Sequence, residues 1–96
     1  MLFDGKVTLT SRGDGTLIGA PDGALAPEAG VDYDITINGT TKSGTATAAG
    51  DDAVIQLMYG EGDMIMYGSN SGSVMFMCTD NYGEAGENTL RVAKAE

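Results

Sequence analysis

The chain has 96 residues, 15 of them glycine, and a formal net charge of −9 with no histidine. This length holds one domain over residues 1–96 and a modest core, with no room for a deep cleft between subdomains. Abundant glycine disfavours helix interiors, and the acidity disfavours direct contact with nucleic acid, whose binding rests on lysine and arginine.

In chain order, the first elements are short strands. Val7 and Leu9 alternate with polar neighbours over Lys6–Thr10, and Thr16–Ile18 follows the turn Ser11-Arg12-Gly13-Asp14-Gly15. Arg12-Gly13-Asp14 spells an adhesion tripeptide, but it stands where a tight turn is needed. Residues 19–30 contain both prolines and read as a long loop. Val31, Tyr33, Ile35 and Ile37 then alternate with Asp32, Asp34, Thr36 and Asn38, the period of a half-buried strand. Asn38-Gly39 is a strong hairpin signal, because both residues tolerate a positive φ. That explains Asn38-Gly39-Thr40 better than a glycosylation acceptor does. The return strand, Thr40–Ala48, is weakly apolar and has the look of a sheet edge.

The middle of the chain reads AVIQLMYGEGDMIMYGSNSGSVMFMCTD. It predicts a meander of strands over 53–59, 64–67 and 74–78 with turns at 60–63 and 68–73. If both turns close symmetrically, Leu57, Tyr59, Met64, Met66, Met75 and Met77 share one face. Met58, Ile65, Tyr67, Val74, Phe76 and Cys78 share the other. Both faces are apolar, unlike a sheet with one wet side, although a bulge in either turn would flip one strand. A loop, DNYGEAGEN, leads to a last strand over Thr89–Ala93. The fold expected is all-β: a small antiparallel β-sandwich or barrel of about seven or eight short strands.

Catalysis finds little support. Without histidine the usual base for a serine or cysteine nucleophile is missing. The single cysteine, Cys78, stands near Asp80, whose charge opposes thiolate formation. Asp32/Asp34, Asp51/Asp52 and Glu61/Asp63 are paired carboxylates in turns or on a polar strand face, not in a cleft. The calcium pattern that opens at Asp32 fails at Thr36. No glycine-rich phosphate loop precedes a helix. No cofactor is expected and the protein is read as a non-enzyme. Met64-x-Met66 and Met75-x-Met77 are thioether pairs that suit Cu(I), though methionine more often fills core or interface space.

The run YDITINGTTKSGTATA resembles a small β segment of uncharacterised proteins from phages and prophages of gut bacteria. Tyr33, Ile35, Ile37, Asn38, Gly39 and Thr40 match its pattern, whereas Lys42 and Gly44 stand in its aromatic and cysteine positions. The resemblance implies a phage-borne origin and carries no functional residue.

The expected function is a non-catalytic interaction module, virion-associated or self-assembling. Its expected interface is Leu57, Tyr59, Met64, Met66, Tyr67, Met75, Phe76 and Met77, and a homo-oligomer buries the second apolar face. The alternatives are a phage-type inhibitor of a host defence factor and a soft-metal binder on the methionine face. The seven acidic residues between Lys42 and Arg91, a stretch without lysine or arginine, would suit a protein partner with a basic surface. The segment MLFDGKVTLT lacks the basic and apolar regions of a signal peptide, and no apolar run reaches the ~18 residues of a membrane span. The host cytoplasm or the virion is the expected location.

Overall fold

A computed structural model describes residues 1–96 as eight strands and one 3₁₀ turn. The strands are β1 (Phe3–Ser11), β2 (Thr16–Gly19), β3 (Asp32–Ile37), β4 (Thr40–Ala49), β5 (Asp52–Met58), β6 (Met64–Asn70), β7 (Ser73–Thr79) and β8 (Gly86–Lys94). They close into one antiparallel barrel in the order β1-β2-β7-β6-β5-β4-β3-β8. Of the two architectures expected from the sequence, the barrel is the one adopted. Closure gives β4 a partner on each side, β3 and β5, so it is not an edge.

Alternation puts the large apolar side chains inside. Tyr33, Ile35 and Ile37 of β3, Ile55 and Leu57 of β5, Ile65 and Tyr67 of β6, and Phe76 and Cys78 of β7 are buried there with Val7, Leu9, Leu17, Leu90 and Val92. Packed side chains thus fill the barrel, as an eight-stranded closure allows.

Both ends are covered. Over one end lies the loop 20–31, with Pro21 and Pro27 buried. The Tyr67 hydroxyl donates to the Leu25 carbonyl at 2.7 Å, and the Glu28 N–H donates to the Tyr33 hydroxyl at 2.9 Å. Two tyrosines rooted in the core thereby anchor the loop, whose Ala24 and Val31 also pack against the core. At the other end Asn88 is buried and fully bonded. Its Oδ1 accepts from the Glu84 N–H at 3.0 Å and from Asn38 Nδ2 at 2.9 Å. Its Nδ2 donates to the carbonyls of Glu84 and Gly86 at 2.8 and 2.9 Å. Asn38 in turn accepts from the Thr89 N–H at 3.0 Å, so the β3–β4 turn, the 80–86 loop and β8 form one network.

Two turns decide the register of the meander. Ser71 and Gly72, at φ 52° and 87°, make a two-residue turn of the primed kind that suits strand twist, so β6 and β7 extend to Asn70 and Ser73. Met66 therefore faces Met77, and Met75 faces Gly68; a symmetric turn over 68–73 would pair Met66 with Met75, so the register is displaced by two residues, which preserves the faces. Between β5 and β6 the displacement is one residue. Met58 pairs with Met64, and an odd-length connection, residues 59–63, contains the 3₁₀ turn Gly60–Gly62 with Glu61 at φ 64°. The Tyr59 N–H donates to the Asp63 carbonyl at 2.8 Å to close it. An odd slip exchanges the two faces of a strand. Leu57 is therefore inside and Met58 outside, opposite to the symmetric expectation.

Candidate functional site

The outside of the barrel is divided by charge. Around β1, β8, β3 and β4 the outward residues include Asp4, Lys6, Glu87, Arg91, Asp32 and Asp34 with threonines between them. Lys6 and Glu87 form an ion pair at 3.2 Å, and Asp34 and Asp32 accept from the Ser43 and Thr45 hydroxyls. In contrast, β2, β7, β6 and β5 contain one charged residue among them, Asp52 at the end of β5. One outward row runs Thr10–Ile18–Met77–Met66–Gln56, and the next runs Met75–Gly68–Val54–Thr47. Met58 and Met64 stand opposite each other beside them.

The centre of this face is a shallow groove of about 210 Å³, bordered by Ile18, Val54, Met66, Met75 and Met77 with Gly68 at its floor. Glycine is required at 68 by close approach: a Cβ there would meet the Ala53 carbonyl and Val54 Cβ at 2.9 Å. Arg12, on the β1–β2 turn, reaches over the face and donates to the Met77 sulfur at 3.3 Å. That turn is held by Asp14, which accepts from the Thr16 N–H and hydroxyl; those bonds lower the Asp14 pKa, so the adhesion-like tripeptide is a structured turn.

Of the expected interface residues, Met64, Met66, Met75 and Met77 lie together on this outer face, half-buried. Tyr59 is 38% exposed on the neighbouring 59–63 connection, with Lys42 Nζ 5.2 Å from its ring centroid. Leu57, Tyr67 and Phe76 are corrected: they point into the barrel and are buried. The odd-length connection turns Leu57 inward, while Tyr67 and Phe76 alternate with the methionines and occupy the opposite side of their strands. Met58, 62% exposed, takes the outward place expected of Leu57. Ile18 and Val54 complete the face. Alternation in Thr16-Leu17-Ile18 and Ala53-Val54-Ile55 carries their outward direction, but their neighbours come from strand pairings distant in sequence. The loop 20–31 caps a barrel end and leaves the methionine face uncovered.

No three His, Cys, Asp or Glu side chains converge to hold a metal ion. The Cys78 thiol is inside the barrel, where burial, and secondarily the Asp80 charge, push its pKa up to about 11 from an ordinary 9.0. Burial also raises the Tyr67 phenol, aided by Tyr33. Both groups keep their protons in the folded state at pH values where the unfolded chain loses them, so stability is full below the ordinary thiol pKa and falls as pH rises through it. The urea midpoint is therefore expected to drop from about pH 8 to about pH 11, with Cys78→Ala removing the first part of the drop. Iodoacetamide at neutral pH should leave Cys78 unmodified until urea is added; fast alkylation of the folded protein would refute its enclosure.

No helix is long and apolar enough to cross a membrane. A membrane-spanning barrel is apolar all round its outside with a polar lumen, and the distribution here is the reverse, with an apolar lumen and a half-charged exterior. No family model matches the chain, nor does any curated protein or solved structure.

Proposed function

We propose that the protein is a non-catalytic interaction module that associates with a second copy of itself through the outer face of β2, β7, β6 and β5. The observation that carries this reading is the charge segregation: a chain of net charge −9 keeps four adjacent strands almost free of charge. A basic partner would find nothing on this face to neutralise. A second copy offers the same methionine-rich surface, whose strands are almost uncharged and over which Arg12 reaches, and a two-fold contact leaves the acidic strands and loops of both copies in water. Methionine adapts to irregular contacts and is enriched at interfaces. The patch, four strands about 4.8 Å apart and roughly five residues long, is on the order of 15 × 17 Å. That is below the ~800 Å² per partner of a stable complex, so the association is weak and grows with local concentration. The resemblance of residues 33–40 to phage-borne segments supports a virion or accessory setting, where neighbouring copies supply that concentration.

Light scattering coupled to size exclusion tests the proposal. A mass rising from monomer toward dimer between about ten and several hundred micromolar protein is expected. Met66→Lys should restore the monomer with little change in thermal stability, since residue 66 lies outside the core. A monomer at every concentration would overturn the reading.

A further inference from the structure

The groove on the outer face has a ligand chemistry of its own. Met66 and Met77 stand directly opposite across β6 and β7, and Met75 is the next outward residue of β7, facing Gly68. Opposed residues have Cβ atoms ~5 Å apart and diagonal ones ~7–8 Å. An unbranched side chain with three rotatable bonds carries its sulfur several ångströms beyond Cβ. Met66, Met75 and Met77 border the same groove, in which the Val54 side chain lies close against Gly68. The Met77 sulfur already serves as an acceptor for a cationic donor, Arg12 Nη1 at 3.3 Å.

We propose that Met66, Met75 and Met77 form a surface site for a soft monovalent cation, Cu(I) or Ag(I). Neutral thioethers are soft ligands that favour these ions over sodium, magnesium or calcium, which need oxygen donors. The only thiol, Cys78, points into the barrel and does not compete. The net charge of −9 raises the local concentration of cations. Arg12 is exposed on its turn and must swing off the Met77 sulfur as the ion enters. The site is complete in one chain and does not rest on self-association.

Calorimetric titration of Ag(I) into the Cys78→Ser protein, at a concentration where it is monomeric, is the test. One ion per chain with micromolar or tighter affinity is expected. Met66→Leu combined with Met77→Leu should weaken binding by about tenfold or more, whereas Met58→Leu, outside the groove, should leave it unchanged. Leucine and methionine have similar volumes and these positions are half-exposed, so the variants should fold. Independently, in protein with isotope-labelled methionine methyl groups, Ag(I) should shift the signals of Met66, Met75 and Met77 and leave Met1 and Met58 in place. No heat with Ag(I), equal affinity in the double variant, or shifts spread evenly over all six methionines would overturn the site.

Discussion

Replacement of Phe76 by alanine is expected to lower the unfolding free energy by about 4–5 kcal/mol, the upper part of the range for a buried aromatic. Phe76 is wholly enclosed on β7 and pairs with Tyr67 of β6 on one side and Gly19 of β2 on the other. The cost of such a deletion depends on how far the surroundings relax into the cavity. A ring of eight strands bonded to one another on both sides holds its circumference, so relaxation here is small. A domain of this size has a total stability of about 5–15 kcal/mol, so the variant should melt far below the parent. Met75→Ala, one residue away on the outer face, should cost under about 1 kcal/mol. Urea denaturation of the two variants decides the inside and outside of β7: comparable losses would contradict the assignment.

Asn88→Leu is expected to cost about 3 kcal/mol, although leucine is the more apolar residue. The substitution strips partners from the Glu84 N–H and from the carbonyls of Glu84 and Gly86, and leaves Asn38 Nδ2 with the Tyr82 carbonyl as its acceptor. Each buried polar group left unpaired costs about 1–3 kcal/mol, partly relieved where water enters the 80–86 loop. Asn88→Asp separates the acceptor role from the donor role. Its carboxylate can still accept from Glu84 and Asn38, but an ionised oxygen would face the two carbonyls. The folded state would therefore favour the protonated acid. The stability of this variant should fall as pH rises through the ordinary aspartate value near ~4, unlike that of the parent. A loss under about 1 kcal/mol for Asn88→Leu would show that the loop opens independently of the barrel.

The elements legible in the sequence were those specified by neighbours along the chain. The alternation Val31–Ile37 and the turn Asn38-Gly39 gave β3, its hairpin and its buried face, because strand period and turn conformation are local properties. Glu61 defeated the symmetric reading of β5 and β6: a glutamate at φ 64° sets an odd-length connection that no glycine at that position announces. Asn88 was hidden for a related reason. It lies in a polar, glycine-containing stretch that reads as loop, and its burial depends on Asn38, 50 residues earlier. The capping role of residues 20–31 depends on hydroxyls of Tyr33 and Tyr67, which meet the loop only once the barrel exists.

By itself the sequence determined an all-β chain, the alternation within its strands, and a charge-poor stretch with apolar residues on both sides of its strands. Those follow from side-chain period and composition, which need no distant partner. Tertiary structure decided the rest. β8 pairs with both β1 and β3, and β2 pairs with β7, so an open sheet becomes a closed ring through contacts far apart in sequence. Closure also settles which apolar face is the core. A barrel interior has a fixed width, and it is filled by Leu57, Ile65, Tyr67, Phe76 and Cys78. The unbranched methionines that alternate with them are left on the outside, where they form the candidate site.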